Sequence, residues 1–244
     1  MPEATASDTA HTDADPDAAS DELPAVLRYV EPILADPADV RREALAVLAK
    51  FEEKYGAGGD AGDDEADRAA RLKAQRAAAD KVVSNYSYYT AMSGGATALA
   101  GVVPGLGTVV AAVGGATADV VVTMKFEVEM VMALATVYGH DVTETEMRRL
   151  CLLIAGLGTV TSAATEGAKV VGEKAFVRLV REHLRAGTLV AVKQAFKKVG
   201  LTFTRKGLEK AAPFGIGVVL GFSANKTLTY YVGRKARAFF ESPE

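Results

Sequence analysis

The sequence predicts an all-α fold: a multi-helix bundle with two Gly/Pro-rich apolar helical segments, preceded by a disordered acidic N-terminal tail. Three observations predict it. Apolar residues recur at helical spacing between capping residues, and even the β-branched run Val120-Val121-Val122 is flanked by helical periodicity. Tryptophan is absent, aromatics are 7%, and alanine and glycine abound, a composition suited to helices packed through small side chains. Finally, Val82 to Ala118 runs 37 residues without a charge around Val102-Val103-Pro104-Gly105-Leu106-Gly107, and Ala211 to Asn225 repeats the theme around Pro213-Phe214-Gly215-Ile216-Gly217.

Taken in order, residues 1–22 are acidic, without Lys, Arg or an apolar core. They read as a disordered tail and lack the features of a signal peptide, so a cytoplasmic protein is expected. Residues 23–244 read as one helical domain. Leu23 to Leu34 is a short apolar segment interrupted by Pro32 and closed by Pro37. Asp36 or Asp39 caps the next helix, Ala38 to Tyr55, with Val40, Leu45, Leu48 and Phe51 on one face. Gly56 to Asp64 is a flexible linker. A long Ala-rich helix follows from about Asp64 to Ala91 or Met92.

The first Gly-rich hairpin has arms at Ala91–Val103 and from Gly107 onward, with Pro104 ending one and Gly105 and Gly107 turning the chain. The second arm runs as one helix to Tyr138, and Gly139 is its C′ residue. Thr143 and Glu146 form a capping box for Glu144–Ala155, which Gly156 and Gly158 interrupt. Further helices are expected at Thr165–Ala186, Leu189–Val199, Arg205–Ala211 and Ile216–Phe240.

Two stripes of residues four apart follow the prolines: Gly107, Ala111, Gly115, Asp119, Thr123, and Gly217, Gly221, Asn225, Thr229, Gly233. Four-residue spacing makes a continuous ridge, and a small-residue ridge lets helices approach closely. Asp119 and Asn225 are the polar members that need partners there, and a bond between them across a helix pair is one solution.

The net charge of −3 hides a division. Residues 1–80 carry −10, residues 81–244 carry +7, and Gly167 to Phe240 alone carries +12. The basic residues cluster as Lys193, Lys197 and Lys198; Arg205, Lys206 and Lys210; and Arg234, Lys235 and Arg237. They form a candidate surface for anionic lipid headgroups, against the plain alternative of a solvated face balancing the acidic half. The apolar arms are short for lone membrane spans of roughly 20 residues. A hairpin dipping into one leaflet and a buried core hairpin both fit, and Lys125, Glu127 and Glu129 are expected to bring the lower part of the long helix to water.

The pattern Pro104-Gly105-Leu106-Gly107, Ala118-Asp119, then Met132 to Asp141 with Tyr138-Gly139, resembles the EcsC protein family. So does the close Asn225, Thr229, Gly233-Arg234, Ala236 and Phe240. The resemblance covers about Ala69 to Phe240. Pro213-Phe214-Gly215-Ile216-Gly217 is less regular than the family's second hairpin. A related pattern occurs in the helical, membrane-associated domain attached to some Era-like GTPases. The resemblance implies a bacterial helical protein with a membrane association and defines no reaction.

No catalytic constellation accompanies these features. His11 lies in the tail, His140 follows a helix end, and His183 sits among Arg181, Glu182 and Arg185. Cys151 lies in an apolar run and reads as a core thiol. Glu127 and Glu129, two apart on a helix, point to different faces and make a poor carboxylate pair. No P-loop, dinucleotide fingerprint or metal-ligand spacing occurs. The expectation is therefore a non-enzymatic protein without cofactors or metal, at the cytoplasmic face of a membrane, accessory to a transporter or envelope process. Anionic lipid is the expected partner and a protein partner is a further one; nucleic acid is not expected. The alternative is a soluble helical module that binds a protein or a hydrophobic ligand between its Gly-rich helices.

Overall fold

The computed structural model describes residues 25–57, 65–92, 115–163, 171–185, 187–210 and 217–242, with the backbone alone at 25, 115–119, 163, 200–210 and 217–224. Every regular element among them is helical: α1 (Ala25–Val30), a 3-10 turn (Glu31–Ile33), α2 (Pro37–Tyr55), α3 (Glu65–Met92), α4 (Gly115–Val137), α5 (Thr145–Ala163), α6 (Glu173–Leu184), α7 (Thr188–Lys210) and α8 (Gly217–Glu241).

The ends of α2 follow from local chemistry. Asp36 is the N-cap and accepts from the Ala38 N–H at 2.8 Å, with Pro37 occupying the first turn, where no amide donor is needed. Gly56, at φ 72°, closes the helix with its N–H on the Glu52 and Glu53 carbonyls. Gly139 does the same work after α4 at φ 87°. The buried face of α2 is Val40 and Ala44, with Val47, Leu48 and Phe51 packed beside them; Leu45, expected inside, is exposed because it falls one residue off that stripe.

Two helix boundaries and one cap differ from the sequence reading. Helix α5 runs unbroken through Gly156 and Gly158. A Cβ at Gly156 would meet Ala195 Cβ at 3.1 Å, and one at Gly158 would meet Val232 Cγ1 at 3.0 Å, so these glycines admit α7 and α8 instead of ending α5. Leu189–Val199 and Arg205–Ala211 are parts of one helix, α7. The expected capping box also gives way: the Thr143 hydroxyl donates to Asp141 Oδ1 at 2.7 Å, and Glu146 pairs with Arg149 at 2.5 Å. The acidic tail, the linker from Gly58 to Asp64, residues 93–114 of the first Gly-rich hairpin and residues 211–216 ahead of the second lie outside the described residues, while Ala91 and Met92, expected to open the first arm, end α3.

Helix α4 is central, packing against α2, α3, α5 and α8. Its segment Val121–Val137 carries apolar residues all round, with Lys125, Glu127 and Glu129 set among them, and is buried apart from Phe126, which is partly buried. A helix with apolar residues all round has no single polar face to give to water. Helices α3 and α8 pack extensively on each other, and α5 packs on α7.

The register of α3, α4 and α8 fixes the ends of the bundle. Gln75 donates to the Val137 carbonyl at 3.0 Å while Tyr89 meets Phe126 at 6.2 Å between ring centroids, so α3 and α4 are antiparallel. Arg76 approaches Glu241, Asp80 pairs with Arg237, and Val83 lies against Gly233, so α3 and α8 are antiparallel too. The end of α3 and the starts of α4 and α8 therefore share one end of the bundle. The chain enters or leaves both uncharged stretches there.

Candidate functional site

That shared end has an exposed aromatic collar below it. Tyr88 and Tyr89 on α3, and Tyr230 and Tyr231 on α8, are 45–54% exposed, and Met92 on α3 is 56% exposed. The Val83–Gly233 contact sets the register, and one turn further in each helix brings Ser87 level with Thr229. The four tyrosines thus lie within about one helical turn of the same height. Side chains with an apolar ring and a polar tip concentrate where apolar and aqueous phases meet.

Beneath the collar, α4 buries charges that the sequence reading sent to water. Lys125, Glu127 and Glu129 are 7%, 0% and 4% exposed. The reason is the all-round apolar face of α4, which leaves no solvent side for them. Glu129 pairs with Lys125 at 2.6 Å and accepts the Ala35 N–H at 2.7 Å, so this carboxylate ties the entry to α2 onto α4. Glu127 faces the other way, as two-residue helical spacing requires.

Glu127 meets the Thr159 hydroxyl of α5 and, at 3.4 Å, the Thr229 hydroxyl of α8. Burial pushes its carboxyl up to about 8, against the lowering effect of the two hydroxyls. The Thr159 hydroxyl donates to Glu127 Oε2 and also lies 2.9 Å from the Ala155 carbonyl of its own helix, while the Thr229 hydroxyl donates to Glu127 Oε1. Ser87 Oγ, level with Thr229, is buried with no hydrogen-bond partner among the described residues.

Lys235 is a second correction. Expected on a lipid-facing surface, it is 4% exposed, with its ammonium donating to Thr161 Oγ at 2.8 Å and Ser162 Oγ at 2.9 Å. Burial lowers its pKa to about 8. Arg237 also turns to the protein: it pairs with Asp80 and, at 3.0 Å, with Glu241, which accepts from the Tyr138 hydroxyl at 2.8 Å. Burial pulls the Glu241 carboxyl upward, but these two hydrogen bonds hold it below its usual range. Arg234 remains exposed and pairs with Glu173 at 2.6 Å. Lys197 and Lys198 are exposed and Lys193 is half-buried, whereas the side chains of Lys206 and Lys210 lie outside the described residues.

Of the small-residue stripe, Thr229 and Gly233 are buried in the α8 contact face and Asn225 is partly buried. Gly217 and Gly221 belong to α8, and Asp119 to α4, without described side-chain surroundings; Pro104 and Gly107 lie outside the described residues. Cys151 is fully buried, and burial drives its thiol pKa up. His140 packs against Phe240 at 5.3 Å, and His183 Nδ1 lies 2.9 Å from the Leu179 carbonyl of its own helix. Among the described residues no group of His, Cys, Asp and Glu is arranged to hold a metal ion, and no helix is long and apolar enough to cross a membrane.

Sequence reasoning missed the buried carboxyl, the inward lysine and the tyrosine collar. The first had a legible signal, since charges within a helix apolar on all faces must be buried with it. The other two depend on which helices meet.

Searches among curated proteins and among solved structures found no match. The sequence model of the EcsC protein family matches residues 62–242, which takes in α3 through α8 and every residue of the collar and of the buried cluster. With the helical architecture and the family pattern extending over most of its length, the chain belongs to the EcsC protein family.

Proposed function

We propose that this chain is a non-catalytic, membrane-associated helical protein that meets the cytoplasmic surface of a bilayer with the end of the bundle from which its uncharged Gly/Pro-rich stretches depart. The observation that carries the reading is the exposed collar of Tyr88, Tyr89, Tyr230 and Tyr231 at one height, beside that end. Tyrosine is favoured at headgroup depth, where its ring contacts acyl chains and its hydroxyl stays wet. The runs Val82–Ala118 and Ala211–Asn225 are themselves uncharged and carry no ion to desolvate, and Asp119 and Lys226 mark where each ends. An accessory role beside a transporter or another envelope component is consistent with such a protein and with the absence of a recognisable catalytic motif from the sequence.

The test is co-sedimentation of the purified chain with neutral phosphatidylcholine vesicles. The wild type should partition to the vesicles, and Tyr88→Ser with Tyr230→Ser should weaken partition about tenfold, or about 1.4 kcal/mol. Failure of the wild type to bind would remove the membrane reading.

A second reading has its own observation. A cavity of about 430 Å³ is lined by Leu34, Val128, Met132, Leu152 and Val192 and by the charged Glu31, Asp36, Arg148 and Arg149. Its size and mixed lining suit a small ligand with an apolar body and a polar end. It lies between α1, α4, α5 and α7, away from the Gly-rich ends where a hydrophobic ligand was expected. Fluorescence titration with an apolar dye would measure it, with Met132→Trp filling the cavity as the control that should abolish the signal.

A further inference from the structure

The buried Lys235 belongs to a cavity that neither the family nor the proposed function accounts for. The cavity has a volume of about 670 Å³ and is bounded by Gly172, Glu173 and Lys174 at the start of α6 and by Tyr231, Arg234 and Lys235 on α8. With all groups ionised, the described residues that line it carry three positive charges and one negative, Glu173 being the acid among them. That acid is already engaged by Arg234 at 2.6 Å.

Two features of the wall point to an anion. Lys235 is more than nine-tenths buried, yet only neutral hydroxyls of Thr161 and Ser162 receive its protons. Its third N–H has no acceptor among the described residues, and Phe176 beneath it offers a ring face at 5.7 Å. By contrast, Lys125, also buried, has a carboxylate partner in Glu129. Helix α6, of 12 residues, begins at Glu173 after the N-cap Gly172, which supplies no side-chain cap, and Gly172 to Ala175 line the same cavity, so the unpaired amides of its first turn are at hand.

We propose that this cavity binds a phosphate group, held by Lys235, Lys174 and Arg234 with the first-turn amides of α6, and that the phosphate is that of an anionic phospholipid headgroup. The lipid source rests on the membrane reading above; the phosphate chemistry does not. Tyr231 joins the two, because it lines the cavity and also belongs to the tyrosine collar. A headgroup phosphate therefore sits beside the ring that marks headgroup depth. Burial lowers the pKa of Lys235 to about 8, and a bound anion would raise it again.

The experiment uses the full chain, phosphatidylcholine vesicles with and without phosphatidic acid, and a separate calorimetric titration with inorganic phosphate. Lys235→Met replaces a buried cation that has no carboxylate partner among the described residues with an apolar side chain of similar length, and Lys174→Gln is an exposed change that spares the core; melting curves check both. The expected result is a preference of the wild type for phosphatidic acid vesicles that falls about fivefold for each cation removed. Binding to neutral vesicles should be unchanged in both variants. Phosphate binding that is lost in the variants, without any vesicle binding, upholds the phosphate site and overturns the lipid source. Equal binding of the wild type to both vesicle types, with no heat from phosphate, overturns the site and leaves the membrane reading standing. A lipid preference that survives both substitutions, with folding intact, also overturns it.

Discussion

Glu127 shows how a single buried group sets a pH dependence. Its carboxyl titrates at about 8 in the folded chain and near 4.5 when unfolded, so across that window the native state keeps a proton that the unfolded state has lost. Stability must then fall as pH rises from 4.5 to 8, by about 1.4 kcal/mol per pH unit at the steepest, and flatten above. Glu127→Gln removes the proton and keeps the shape. Urea midpoints measured from pH 5 to 8 should decline for the wild type relative to this variant; parallel curves would show that Glu127 does not titrate in that range. Lys125 and Glu129 make a different argument, because each satisfies the other. Lys125→Met leaves a buried carboxylate with the Ala35 amide as its partner among the described residues and should cost about 3–5 kcal/mol. Adding Glu129→Gln should recover part of that loss, and a double variant no more stable than the single one would refute the pairing account.

At the scale of elements, close approach decides the packing. Gly233 is the tightest point of the α3–α8–α4 junction: a Cβ there would lie 2.8 Å from both Val83 methyls and 3.1 Å from Met130 Sδ. Gly233→Ala should therefore overpack the junction and lower stability by about 1–3 kcal/mol, measured by chemical denaturation. Trimming the partner as well, with Val83→Ala, should restore part of it; an unperturbed Gly233→Ala would mean that the helices can slide apart at no cost. The four-residue stripe from Gly217 to Gly233 was legible in the sequence because spacing alone puts those residues on one ridge. Its partner was not legible, since a ridge of small residues fits any helix that comes close. Gly156 and Gly158 make the same point in reverse. Read locally they are breaks, but contact with α7 and α8 holds α5 straight through them.

Across the whole molecule, the antiparallel pairing of α3 with α4 and α8 gathers features far apart in sequence at one end. Tyr88 and Tyr230 are separated by most of the chain, yet the register of Val83 on Gly233 puts them at one height. The vesicle experiment on these two tyrosines belongs to this scale, because neither residue alone makes a collar. The division of charge also changes meaning here. Of the basic cluster at Arg234, Lys235 and Arg237, the fold exposes only Arg234; it buries Lys235 against Thr161 and Ser162 and commits Arg237 to Asp80 and Glu241. A count of +12 over Gly167 to Phe240 thus overstates the free positive surface.

The sequence by itself determined the helical class, the start and end of α2, the span of α3, the glycine stop after α4 and the family pattern. These rest on periodicity, capping and backbone freedom within a few residues, which act the same way wherever the chain goes. Only the tertiary structure decided which way charged residues face. Lys125, Glu127 and Glu129 looked like a solvent stripe because charges are costly to bury. They are buried because the apolar surface around them on α4 is larger, and hydroxyls, an amide and a mutual ion pair from other helices offset the cost. The same holds for Lys235, whose partners Thr161 and Ser162 stand 74 and 73 residues away in the chain. Such partners come from the meeting of helices, which local pattern does not encode.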